Sequence, residues 1–144
     1  MKTQKILFAG ITGGIIYLLL GWLLYGNLLA AFMKSNSGTA TGVERLEPVF
    51  WALIIGNLLM GILLAYIFIR LSDISTVGSG IMAGGTIGLL ISAGFDFVIY
   101  GTTNLESLKG VCVDVAIFTV ISAIAGAGVA WIAGMGKKSI SMAA

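Results

Sequence analysis

Four long apolar runs, parted by short polar stretches, organise this chain. They cover residues 6–32, 49–69, 78–100 and 111–135. Each reaches or exceeds the roughly 20 residues that an α-helix needs to cross the hydrocarbon of a bilayer. Strict apolar–polar alternation is absent, so the pattern belongs to helices and not to the strands of a β-barrel. It predicts an all-α fold, a four-transmembrane-helix bundle with helices at 6–32, 49–69, 78–100 and 108–135. The connections leave room for one membrane domain over 1–144 and no second one.

Local signals refine the ends. Lys2 and Lys5 precede the first run as they would in a signal peptide. That run is longer than the apolar region of about 7–15 residues typical of such leaders, so a retained helix is expected. The loop 34–48 opens with Ser-Asn-Ser-Gly-Thr-Ala-Thr-Gly and reads as flexible. Pro48 suits the first turn of the second helix, where its missing N–H is harmless. Thr103-Asn104-Leu105-Glu106 matches a capping box, which would start the fourth helix near Asn104. Lys137 and Lys138 serve as an anchor after that helix, ahead of a frayed Ser/Ala tail.

Small residues recur at four-residue steps. The third helix carries Gly80, Gly84, Gly88 and Ser92, leading to Asp96 and Tyr100. The fourth carries Asp114, Phe118, Ser122, Gly126, Ala130 and Gly134; the first offers Gly13, Tyr17, Gly21 and Tyr25, the second Asn57, Gly61 and Ala65. Apolar side chains gain little by leaving lipid for another helix, so packing relies on small residues that admit close contact. These ridges mark buried faces. Gly10 and Gly14 form a further candidate pair, for a homodimer interface, and self-association is left open.

Composition supports the membrane assignment. The chain is 58% hydrophobic and 10% charged, with a mean hydropathy of +1.07. Eight Lys/Arg and six Asp/Glu cannot coat a soluble globule of 144 residues. The apolar surface must face a lipid bilayer, the first partner the sequence implies. The net charge of +2 is too small and dispersed for nucleic acid. With no histidine, imidazole ligation of a metal or haem is excluded. The single cysteine, Cys112, cannot form an internal disulfide or a paired-cysteine redox centre, and is expected to be a small buried hydrophobe. Trp51 and Trp131 suit interfacial belts, whereas Trp22 is expected to pack inside. No cofactor and no metal site are expected.

The basic residues suggest a direction. With the N-terminus inside, Lys2, Lys5, Arg70, Lys137 and Lys138 fall in the cytoplasm, and Lys34, Arg45 and Lys109 outside. Five against three favours an N-in, C-in topology.

Polar residues inside the runs carry what chemistry there is. A carboxylate within a span costs several kcal/mol unless it finds partners or water. Asp96 and Asp114 lie at similar depth in the outer half of antiparallel neighbours. Asn27 reaches the same level and Asn57 lies nearer the midplane, while Tyr100, Thr102, Thr103 and Asn104 form a rim. The candidate is an outward-facing polar cavity lined by Asn27, Asn57, Asp96 and Asp114, with Lys109 at its mouth and Asn104 and Tyr100 at its rim. Two carboxylates in a poorly hydrated space repel, so a proton, a cation or Lys109 must sit between them. The competing reading is a structural clasp, with the acids capping helix ends or pairing with Lys109. Asn57 alone reads first as an interhelical hydrogen-bond donor. No catalytic triad is available without histidine, and no glycine loop follows a strand to cradle phosphate, so an enzyme is not expected.

The segment Tyr100 to Asp114, YGTTNLESLKGVCVD, resembles a family of small predicted four-helix bacterial integral membrane proteins of unknown function. The matching positions are Thr103, Asn104, Leu108, Lys109 and Asp114. The resemblance implies a multi-pass protein of the bacterial inner (cytoplasmic) membrane and supplies no activity. Two functional readings stand at this stage. One is a protein that binds or transports a small molecule or ion through the polar cavity, as a homo-oligomer if four helices are too few alone. Weak Gly-Gly…Tyr-Gly…Asn echoes in the first and third helices hint at the internal duplication many carriers show. Against one class of small exporter, the first helix carries no acid. The other reading is a structural or accessory subunit that packs against a larger membrane complex.

Overall fold

In a computed structural model the described residues, 2–135, form five α-helices and two π turns. The first apolar run becomes α1, Lys2–Leu23, a π turn at Leu24–Leu28, and a short α2, Ala30–Ser35. The second becomes α3, Phe50–Tyr66, closed by a π turn at Ile67–Leu71. The third and fourth are α4, Val77–Thr102, and α5, Leu108–Gly134. The four spans, Lys2–Leu28, Phe50–Leu71, Val77–Thr102 and Leu108–Gly134, are each long and apolar enough to cross a membrane. The fold is the all-helical bundle expected. Lys137, Lys138 and the tail lie outside the described residues.

Several ends differ from the sequence expectation, each for a local reason. The first helix is interrupted because Asn27 turns its side-chain amide onto the Trp22 carbonyl at 2.9 Å, while the Leu29 N–H reaches the Leu24 carbonyl at 2.8 Å. Those five-residue spacings widen the turn. Pro48 precedes the N-cap, Val49, and lies outside the first turn of α3. The capping box at Thr103 does not form. Thr103 instead closes α4, its hydroxyl donating to the Ile99 carbonyl at 2.8 Å. Ser107 caps α5, accepting from the Gly110 N–H at 3.2 Å.

The helices stand in the order α3, α1, α5, α4, with α5 the most buried span. Glycine sets the closest approaches. A Cβ on Gly14 would lie 2.8 Å from Leu58 Cα, and one on Gly61 would collide with the Gly10 carbonyl and the Gly14 amide. The Gly10–Gly14 pair is therefore filled by α3 of the same chain, not by a second copy. On the other side Gly80, Gly84 and Gly88 meet Ser122, Gly126 and Ala130, so α4 and α5 touch backbone to backbone. Between these seams α1 packs on α5, where Tyr17 donates to Ser122 Oγ at 2.8 Å and stacks on Phe118 with centroids 5.7 Å apart. Leu64, Ala65, Phe68, Ile121, Ala125 and Val129 complete the core. Trp22 and Cys112 lie off these faces and are exposed, contrary to expectation; Trp51 and Trp131 also face outward.

The end holding loops 36–49 and 103–107, here the loop end, is stitched by backbone. Gly38 N–H donates to the Leu105 carbonyl at 2.8 Å, Ala40 N–H to Asn104 at 3.0 Å, and Ser107 N–H to Asn36 at 2.9 Å. Gly38 permits this because a Cβ there would strike the Asn104 carbonyl. The start of the loop expected to be flexible is thus a strap, held across the α4–α5 connection.

Candidate functional site

The acids converge beneath that strap. Asp96 lies six residues from the end of α4 and Asp114 six residues into α5, so both sit about 9 Å down antiparallel helices. The α4–α5 seam then turns them toward each other, so that Asp114 is the charged neighbour of both Asp96 and the Tyr25 hydroxyl. Tyr25 comes from the π turn of the first span, which packs beside α5. Glu106, partly buried under the strap and bridged in antiparallel fashion to Ser37, adds a third carboxyl near Asp114. Asp96, Asp114 and the Tyr25 phenol therefore lie together near the junction of α1, α4 and α5, with Glu106 close enough to feel the Asp114 charge.

Burial makes the meeting consequential. Asp96 Oδ2 is shut from solvent and has no hydrogen-bond partner among the described residues. One turn deeper, the Ser92 hydroxyl is in the same position. A polar atom left unpaired in an apolar medium costs a few kcal/mol.

The other residues expected at the site are elsewhere. Asn27 and Asn57 do not line it, since each bonds a carbonyl of its own helix, Trp22 at 2.9 Å and Leu53 at 2.7 Å. Lys109 does not reach the acids. Five residues separate it from Asp114, which turns it about 140° around the helix. It lies instead over the Phe32 ring, 5.4 Å from the centroid, a cation–π contact that ties α2 to α5. Tyr100 is 41% exposed on the outer face of α4. Asn104 contributes its backbone carbonyl to the strap. Of the expected set, Asp96 and Asp114 come together. Tyr25 and Glu106 complete the group; in the sequence Tyr25 stands only as the last position of the Gly13, Tyr17, Gly21 ridge, and Glu106 carries no signal of the site.

Glu106 lies outside the spans, and its carboxyl is held above the ordinary range, first by burial under the strap and then by the Asp114 charge. The folded protein therefore holds this proton more tightly than the unfolded chain does. Stability from this group is fully present below about pH 4.3, the ordinary glutamate value, and is lost as pH rises through the raised one. Glu106→Gln should melt higher than wild type at neutral pH, and the two curves should converge near the ordinary glutamate value. Thermal unfolding in detergent across that range is the check, and a parallel pair of curves would contradict the assignment.

No three His, Cys, Asp or Glu residues among those described are arranged to hold a metal ion. Two clefts lie at the opposite end, one of about 500 Å³ beside Lys5, Phe8 and Ile132, one of about 120 Å³ beside Lys2, Phe68 and Asp73. Neither adjoins the acids. No protein-family model, curated protein or solved structure matches the chain.

Proposed function

We propose that this chain is a multi-pass protein of the bacterial inner membrane, oriented N-in and C-in, that binds a small cationic ligand, the proton included. The site is the cluster of Asp96, Asp114, Tyr25 and Glu106. One observation carries the proposal: Asp96 and Asp114 face each other from antiparallel helices, one Asp96 oxygen is buried without a partner among the described residues, and the nearby Lys109 is turned to Phe32. Like charges at such a spot are stable only with a positive charge among them. A structural clasp between the acids and Lys109 would need an ion pair, and Lys109 is engaged with Phe32. The five-to-three distribution of basic residues supports a cluster that opens to the outer side of the membrane.

Asp114 is the residue that the others face, so its amide variant tests the reading. A ligand that binds only the folded state raises its stability by mass action. The purified protein should gain melting temperature with at least one of three probes: protons, sodium or tetramethylammonium. Asp114→Asn should lose that gain while keeping its helical content. A wild-type protein indifferent to all three would sink the reading.

A further inference from the structure

The acid cluster does not end at its carboxylates. Ser92 is 6% exposed, and its hydroxyl has no partner among the described residues; Asp96, whose Oδ2 is likewise orphaned, stands one turn above it. Both continue the Gly80, Gly84, Gly88 strip that α4 presses against α5. One helical turn is a rise of about 6 Å for four residues. A single water accepting from one group and donating to another spans about 5.5 Å at ordinary hydrogen-bond lengths. Two orphaned atoms one helical turn apart on one face suit one bridging water.

The next polar group lies deeper still. A Cβ on Gly88 would collide with the Ser122 side chain, so Ser122 sits level with Gly88, again about one turn below Ser92. Ser122 is fully buried and accepts the Tyr17 hydroxyl at 2.8 Å. Asp96, Ser92 and Ser122–Tyr17 thus form a column along the junction of α1, α4 and α5. Asp96, Ser92 and the level of Ser122 follow one another at about one helical turn.

We infer that a proton held on the Asp96 carboxyl, which one water bridges to the Ser92 hydroxyl, is the ligand of this site, and that the column leads it toward the middle of the membrane. This rests on the proposed function and narrows its ligand. The groups facing Asp96 are Asp114 from α5, Tyr25 from the π turn of the first span and Glu106 from the loop; Lys109 is turned to Phe32. The close contact of α4 with α5 at Gly80, Gly84 and Gly88 leaves no width for an organic cation to follow the column inward. The carboxyls do not meet as a metal-ion group, and a sodium ion needs more oxygen ligands than a proton, which needs two.

Infrared spectroscopy of the full chain in lipid, titrated from about pH 4 to 9, reads the carboxyl directly. Wild type should show a protonated-carboxyl band that Asp96→Asn removes. Ser92→Ala should keep the band, shift its frequency, and move its titration midpoint. Because Ser92→Ala removes a hydroxyl bound to water and not an idle one, it should also lower the melting temperature; Ser92→Gly, which cannot crowd the seam, should repeat both effects. If the serine variants match wild type in band, midpoint and melting while Asp96→Asn still removes the band, the hydroxyl bonds a carbonyl of its own helix and the inference is overturned, with the acid cluster intact. A sodium-dependent shift of the band at fixed pH would replace the proton by a metal cation and overturn it as well. A wild type without any titrating band assigned to Asp96 or Asp114 would remove the acid-cluster reading, and this inference with it.

Discussion

Gly61→Val should cost roughly 3 kcal/mol, at the upper end of what overpacking a close-packed interior costs. The Cβ would enter the space of the Gly10 carbonyl and the Gly14 amide, both backbone, so no side chain can rotate away to make room. The rigid partner decides the size of the effect. In lipid, α1 and α3 are held less by a hydrophobic drive than by this close contact, and separating them forfeits most of the seam. Gly56→Val, one turn or so away on the same helix, is the control, since nothing lies within 4 Å of a Cβ there. It should leave stability nearly unchanged. Unfolding by a denaturing detergent, followed by helical signal, separates the two variants. Equal effects at both positions would mean that α1 and α3 do not meet through Gly61.

That contrast also shows what a sequence can say about a membrane fold. Apolar length places each span, because a bilayer imposes a minimum that no local contact overrides. The four-step ridges identify buried faces, since Gly80, Gly84, Gly88, Ser92, Gly126 and Gly61 are all buried. A ridge does not name its partner. Gly10 and Gly14 read as a candidate dimer surface, and only the packing of α1 between α3 and α5 shows them to be the seat of α3.

The site was half legible for a similar reason. Counting residues from the helix ends puts Asp96 and Asp114 at one depth, and antiparallel neighbours bring them face to face. Angular position was the missing variable. Lys109 is close to Asp114 along the chain and far from it around the helix, so nearness in sequence misplaced it. Asn27 at the level of the acids and Asn57 nearer the midplane both spend their amides on their own helices, a choice the local backbone makes. Glu106 joins the acids through a strap whose hydrogen bonds run from 36–40 to 104–107, a long-range pairing with no periodic signature. Ser92 sits in a glycine ridge and reads as one more small residue until its burial without a partner is seen.

Tyr17→Ala should cost on the order of 3 kcal/mol, and Tyr17→Phe about 1 kcal/mol, a split that separates two roles of one side chain. Tyr17 is 2% exposed, and its ring fills the junction of α1 and α5 against Phe118. Removing the ring leaves a cavity that the glycine-tight seams on either side cannot collapse to fill. Transfer from water contributes little here, because the unfolded helix would bury the same ring in lipid or detergent; lost packing carries the cost. Removing the hydroxyl alone leaves Ser122 Oγ fully buried without its donor. Interhelical hydrogen bonds in membranes are worth about 0.6 kcal/mol on average and up to about 1.7. A double-mutant cycle with Ser122→Ala isolates that term, and its coupling should fall within this range. If the cycle shows no coupling while Tyr17→Phe still destabilises, the phenol serves something other than Ser122. The polar column would then break at its deepest step, with Asp96 and Ser92 left as a pocket closed from below.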